Sequence, residues 1–271
     1  MTSTAALATL LTDPDRNIRL RAAMELGISQ DAAAAPALVA ALGPELDSRV
    51  RGMITWATVQ HAGEAIDELV ALLQDGDPAV RHQVLHVLSK IGGREILPYV
   101  LPAVADEDPQ VAIKAYRAAA STDAPEVVPA LVARLGDGDD EQRDQLNRAL
   151  RLLGAWPVEP LADALAAEDP AVRLHAADAL AEIGSPDAEP AVIALARTTE
   201  DPEAEVRLAA VCALGELEDE DSVEVLRQVA TGADQVLARV AGRLLRSRAA
   251  RAAAAAEEAA AVEGAQGAVQ G

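Results

Sequence analysis

The chain has 271 residues, 51% of them apolar and 25% charged, with 44 acidic against 23 basic residues and a formal net charge of -21. That balance excludes broad contact with nucleic acid phosphates or an anionic membrane, and a single cysteine, Cys212, excludes an internal disulfide and a cysteine-built zinc site. No run reaches about 18 apolar residues free of charge or proline, and the N-terminal MTSTAALATLL lacks the basic stretch of a secretory leader, so a cytoplasmic protein is expected.

The small residues are as informative as the charges. Phenylalanine is absent, Tyr and Trp number two each, and alanine is abundant. Such a chain cannot build a thick aromatic core but can pack helix closely on helix. Lysine occurs only at Lys90 and Lys114 while arginine is common. A high-GC genome or adaptation to salt would each produce that bias, and composition does not separate them.

In chain order, the predicted elements alternate between two helix types. The first, helix A, reads TAALATLL, APALVAALG, AIDELVALLQ, ILPYVLPAVA, VVPALVARLG, EPLADALAAE, EPAVIALART and VEVLRQVA. A recurring proline near its start (Pro36, Pro98, Pro129, Pro160, Pro190, with Asp67 in the same column) sits where a missing N–H costs little. Pro102, deeper in its helix, predicts a kink. Acidic turns follow, from LTDPDRN to TEDPEAE, whose aspartates suit the N-cap and positive dipole end of helix B. The stretch Glu168 to Gly184, EDPAVRLHAADALAEIG, shows helix B best: Asp169 caps, Pro170 opens, Val172, Ala176, Leu180 and Ile183 recur at helical spacing, and Gly184 stops the run. One helix B column holds Arg19, Arg51, Arg81, Ala112, Arg143, Arg173 and Arg207, with Leu237 as a degraded eighth copy, spaced 30 to 34 residues apart. Two independent columns with one period identify a repeat array. After Arg248 the chain becomes alanine-, glutamate- and glycine-rich, and residues 249–271 are expected to be a helix fraying into a disordered tail.

The segments Asp77-Pro78-Ala79-Val80-Arg81 and Asp169-Pro170-Ala171-Val172-Arg173, the latter followed by Leu180-Ala181-Glu182-Ile183-Gly184, resemble HEAT repeats of the short type found in the phycobilisome-lyase-like (PBS lyase HEAT-like) group. The resemblance covers residues 1–248. It implies an all-α right-handed α-solenoid, an α-α superhelix of about eight helix pairs, with helix B lining the concave side. Repeats 4, 5 and 8 depart from the motif at Ala112, Asp140 and Leu237, which suggests looser or more curved joints. A motif that describes a fold is specific for architecture and weak for activity.

With the arginine column as zero and about 100° per residue, positions -1, +3, +7 and +10 of helix B share a mostly aliphatic face, the expected core. The opposite face centres on +5, and by resemblance it is the groove. Along the array the +5 column reads Met24, Trp56, His86, Arg117, Arg148, Asp178 and Cys212. The +2 column reads Arg21, Met53, Gln83, Lys114, Gln145, His175 and Ala209, with Lys90 at +9 and Arg151 at +8. A positive strip framed by acidic turns suits an acidic peptide or compact anion, with Trp56 and Met53 as apolar anchors. The plain alternative is a solvated helix face balancing nearby carboxylates. The column-zero arginines are expected to pair with turn aspartates of their own or adjacent repeats.

Catalytic readings find little. Di-iron hydroxylases of HEAT type use His-Glu pairs at the start of helix B, and this chain has no such pair. Bilin lyases share the repeat, but the groove lacks an aromatic wall. HEAT-like DNA glycosylases need a basic groove with aromatic contacts to bases. His82 and His86 have chelating spacing without a third strong ligand, so no metal or cofactor is expected. His61 lies on the core column and is expected to be packed; Cys212 reads as an inert thiol. The resulting expectation is a monomeric, non-catalytic interaction scaffold. It binds a protein or peptide segment through Met24, Met53, Trp56, His86, Lys90, Lys114, Arg117, Arg148 and Arg151, with no nucleic acid and no membrane. The alternative is a cofactor-handling HEAT protein such as a bilin lyase-like chaperone.

Overall fold

The structure, a computed structural model, describes residues 2–269, with side chains described through residue 254 apart from position 75. Among the described residues there are sixteen α-helices and no strand. They run as eight A/B pairs: α1 (Thr4–Leu10) and α2 (Arg16–Ile28), α3 (Ala34–Leu42) and α4 (Ser48–Gln60), α5 (Ala62–Asp75) and α6 (Pro78–Ile91), α7 (Leu97–Ala103) and α8 (Pro109–Ala120). Then come α9 (Val128–Val132) and α10 (Asp140–Leu152), α11 (Val158–Ala164) and α12 (Pro170–Ile183), α13 (Val192–Thr198) and α14 (Ala204–Glu216), α15 (Glu220–Ala230) and α16 (Gln235–Val269). Helix α16 runs to Val269, through most of the 249–271 stretch expected to fray into a disordered tail, while residues 270–271 and the side chains past 254 lie outside the described residues. Pro102 lies in the last turn of α7, which stops at Ala103, so the expected kink is replaced by a helix end.

Two compact units divide the chain, Met1–Leu153 (α1 to α10) and Gly154–Gly271 (α11 to α16). Within each, a helix A packs on its own helix B and consecutive B helices pack on one another: α2 on α4, α4 on α6, α6 on α8 and α8 on α10 in the first unit, α12 on α14 and α14 on α16 in the second.

The acidic turns start helix B as the sequence suggests except before α14, where Glu203 holds the N-cap position without a side-chain bond and Asp201 is taken up by Arg173 instead. Asp15, Asp47, Asp77, Asp108, Asp139 and Asp169 each accept a hydrogen bond from a backbone N–H in the first turn of the helix that follows, at 2.8 to 3.2 Å. These bonds satisfy amides that have no partner within the helix.

The +3 and +7 columns are buried from Ala22 and Leu26 to Ala210 and Leu214. The structure adds two buried columns that the aliphatic pattern does not reveal. At +4 stand Ala23, Thr55, Leu85 and Tyr116, and at +6 stand Ala57, Val87, Ala118 and Ala149, each at most 6% exposed. The reason is lateral packing, since each B helix is flanked by B helices as well as backed by its A helix. The +6 side faces the preceding helix. Glu25, at +6 on the first B helix, has no predecessor and is exposed. Small residues make the approach close: a Cβ added to Gly27 (+8 of α2) would lie 2.9 Å from the Cα of Ala57 (+6 of α4). His61 is packed as expected, 6% exposed, with its Nε2 2.9 Å from the carbonyl of Leu26.

Three of the column-zero arginines, Arg19, Arg81 and Arg173, resolve into a repeated staple, while Arg51 donates to the Glu45 carbonyl at 3.3 Å, Arg143 meets Asp140 of its own repeat at 3.7 Å and Arg207 meets Asp234 of the next turn at 3.5 Å. Arg19 meets Glu45 of the next turn through two bonds of 2.7 and 3.0 Å, and donates to the carbonyls of Asp13 and Pro14 in its own turn. Arg81 does the same with Asp106 at 2.9 and 2.8 Å and the carbonyl of Gly76, and Arg173 with Asp201 at 2.7 and 2.9 Å and the carbonyls of Ala167 and Glu168. Each carboxylate also accepts the N–H two residues on, at Asp47, Asp108 and Glu203, so one acid shapes its own turn and receives the preceding repeat. The planar guanidinium is suited to this bidentate grip. At repeat 4 column zero is Ala112, and Asp137 pairs instead with Arg134, 3.0 Å away in its own repeat. There the α8–α10 joint carries a different link: Gln142 replaces the usual valine at -1 and donates to the Tyr116 hydroxyl at 2.8 Å, with both side chains buried. In the last repeat Arg248 of α16 reaches back to the carbonyls of Leu217 and Asp219 and to Ser222, closing the end of the stack.

Two expectations follow. Arg81→Ala and Asp106→Ala, taken singly and together, should each cost about 1–2 kcal/mol in urea unfolding, with a coupling of about 1 kcal/mol, because the pair is bidentate yet still partly solvated; additive losses would show that the staple adds no energy. The Arg19 guanidinium holds the Glu45 carboxyl below the usual range, and Arg173 does the same for Asp201, each outweighing the opposing effect of burial. These acids therefore bind protons less readily folded than unfolded. Their stabilisation is complete above the unfolded values of about 4.5 and 3.8 and is lost as pH falls through the lower folded ones. The urea midpoint should drop steeply below about pH 4 in the native chain and less steeply in a Glu45→Ala, Asp201→Ala variant.

Candidate partner-binding site

Burial of columns +3, +4, +6 and +7 leaves each helix B of the first unit a narrow exposed seam at +5, bordered by +1, +2, +8 and +9. Met24 on α2 and Trp56 on α4 are each 41% exposed, and Met53 is half-buried beside Trp56. On α6, His86 is half-buried and Lys90 exposed; on α8, Lys114 is half-buried and Arg117 exposed; on α10, Arg148 and Arg151 are exposed. All nine expected residues thus reach the surface of one unit, on five B helices packed in sequence.

Trp56 is not wholly free. Its ring lies across Gly27, where an added Cβ would collide with it, so one edge packs on α2 and the other faces solvent. Beside it, Gln83 on α6 donates to the Thr55 hydroxyl at 3.0 Å and ties α4 to α6.

The seam changes character along the unit. Helices α2 and α4 present Met24, Ile28, Met53 and Trp56, with Arg21 at the α2 edge; α6 presents two histidines and Lys90; α8 and α10 present Lys114, Arg117, Arg148 and Arg151, with Asp144 the acid at their +1 border. Ile28 and Leu152, both at +9, are 64% and 62% exposed. The sequence reading passed over both, although their place beside the +5 column was legible. Among the described residues, the unit's ion pairs engage Arg16, Arg19, Arg81, Arg94, Arg134 and Arg143, and Lys90, Lys114, Arg117 and Arg148 enter none of them.

The histidines report the resulting field. Burial, followed by the charges of Lys114 and Arg51, pushes His82 below its ordinary value, with Asp108 in opposition. Burial, followed by Lys114, Lys90, His82 and Arg117, does the same to His86. Both rings are therefore neutral near pH 7. Among the described residues, no group of three or more His, Cys, Asp or Glu is placed to hold a metal.

The second unit's face differs. At +2, His175 and Ala209 are buried, which corrects the expectation of an exposed column there. At +5, Asp178 and Cys212 are exposed. Burial, then Asp178 and Glu216, pushes the Cys212 thiol up, away from the reactive thiolate.

Four open clefts occur elsewhere, of about 550, 390, 340 and 330 Å³. They lie between successive A helices, beside Arg19 and Glu45, beside Arg81 and Asp106, at Asp234, and at Asp201. Their recurrence with the staple marks them as grooves of the architecture. None of the nine seam residues lines them.

A histidine titration followed by NMR should place His82 and His86 below 6.5, and Lys114→Ala should raise both, His86 included. Values unchanged by the substitution would separate Lys114 from the histidines.

No described helix is long and apolar enough to cross a membrane, and no curated protein sequence matches the chain. Among solved structures, the CpcE–CpcF phycocyanin lyase complex from Nostoc sp. aligns at 20% identity over 92% of this chain and 95% of that one, with a TM-score of 0.42. Kap95p, solved with RanGDP, aligns at 12% identity over 90% of this chain and 40% of its own, TM-score 0.58. Kap121p bound to the extreme C-terminus of the phosphatase Cdc14p aligns at 15% identity over 91% and 33%, TM-score 0.57. These karyopherins share the helical-repeat fold with a chain that spans well under half of their length. The sequence model of HEAT repeats matches residues 1–58, 62–151 and 158–246, and the chain belongs to the HEAT-repeat family.

Proposed function

We propose that this protein is a non-catalytic interaction scaffold whose first unit captures an acidic segment of a protein partner along the exposed seam of α4 to α10. The observation that carries the reading is the set of four cations, Lys90, Lys114, Arg117 and Arg148, that stand on one face and, among the described residues, enter no ion pair in a chain of net charge -21. In so acidic a molecule, nearby carboxylates are plentiful, and the staples of Arg19, Arg81 and Arg173 use them. Cations left unneutralised beside Trp56 and Met53 combine charge attraction with an apolar anchor. Framing by acidic turns disfavours long polyanions. The seam is an open surface, which suits an extended chain better than a tetrapyrrole needing an enclosed aromatic wall, so the interaction reading is preferred to the cofactor-handling one.

A fluorescent glutamate-rich peptide, titrated with the full chain at low and high salt, tests the reading. The variant Arg117→Glu, Arg148→Glu should bind at least about tenfold more weakly at low salt, with an unchanged helical circular dichroism spectrum, because both side chains are exposed. Equal binding by native and reversed chains would overturn the proposal. Affinity purification with the same pair of proteins then identifies the natural client.

A further inference from the structure

The seam is ordered as well as charged. From α4 to α10, the apolar pair Trp56 and Met53 stands on α4, the histidines on α6, and the permanent cations on α6, α8 and α10, with Leu152 exposed at the α10 border, and these four helices pack one on the next. From this order we infer the pattern of the partner: an extended segment of about ten residues with an apolar side chain at one end and acidic side chains at intervals of about three residues toward the other. The inference rests on the scaffold reading above and adds register to it.

The spacing comes from two lengths. Packed helices lie about 8–10 Å apart, and a chain in the extended polyproline II conformation advances about 3.1 Å per residue and returns a side chain to the same face at every third residue. One helix-to-helix step therefore equals about three residues. A segment whose apolar side chain sits against Trp56 and Met53 brings its next positions of that phase over His86 and Lys90, then Lys114 and Arg117, then Arg148 and Arg151. Three steps separate α4 from α10, so about nine residues follow the anchor.

Misregister carries a penalty at both ends. A carboxylate shifted onto Trp56 and Met53 loses water without gaining a cation, and an apolar side chain shifted onto Arg148 leaves that guanidinium without an acid. The half-exposed Trp56 edge, braced on Gly27, is a preorganised contact of fixed position.

Three twelve-residue peptides of identical composition, one Trp and three Glu among Ser and Gly, test the register by fluorescence anisotropy with the full chain. Two carry Trp at one terminus or the other with Glu at every third position after it; the third carries Trp in the middle with the three Glu adjacent. One of the two ordered peptides should bind about tenfold more tightly than the third, and replacing its Trp by Ala should remove that advantage. Equal affinities for all three would overturn the register while leaving acidic capture intact. Absence of binding by all three and by a polyglutamate control would overturn both readings. Because every change is in the peptide, protein folding does not enter the comparison.

Discussion

The structure depends on one interaction, the bidentate grip of a column-zero arginine on the acid of the next turn. The arginine is anchored first to the carbonyls of its own turn, so its guanidinium projects in a set direction. The acid is anchored by the N–H two residues on, so it waits in a set place. Each repeat is thereby shaped by an interaction that also docks its neighbour, and an alanine-rich chain with little aromatic bulk obtains a defined stacking geometry. Where Ala112 interrupts the column, the buried Tyr116–Gln142 bond links the same pair of B helices from the core side.

Stapling and small residues together press the B helices side by side, and that closeness generates the candidate site. Helices buried on both flanks keep only the seam around +5 in contact with solvent. Side chains on successive seams are brought near one another although about 30 residues separate them in sequence. Burial first, and then the charges of Lys114 and Arg51 at His82 and of Lys114, Lys90 and Arg117 at His86, lower the two histidines, and the charge part is the electrostatic sign of that convergence. The same scaffold in the second unit places Asp178 and Cys212 on the matching column, so one architecture presents surfaces of different sign. Function in a HEAT array resides in such surface choices, since the repeat motif itself is used up in caps, staples and core.

Charge partnership separates structural from candidate functional cations. Arg19, Arg81 and Arg173 look similar to Arg117 and Arg148 in composition, yet the first three are held by carboxylates and carbonyls, whereas among the described residues the last two enter no ion pair. Column position distinguishes the two groups. Column zero points along the row of turns, whereas +5 points toward solvent, with Trp56 resting one edge on Gly27.

The sequence by itself determined the number of helix pairs, the aspartate caps, the +3 and +7 core columns and the exposure of the +5 column, because these follow from helical period and local hydrogen bonding within one repeat. His61 on the core side and Trp56 on the open side were legible for the same reason. Only the tertiary structure decided that +4 and +6 are buried, that Arg19, Arg81 and Arg173 grip the next turn's acid, that Trp56 is braced by Gly27, and that Lys114 stands near both His82 and His86. Alanine carries too weak a hydropathy signal to mark a flank, and the partner that buries it lies a full repeat away. Contacts of that kind are set by how helices stack, which no single repeat encodes.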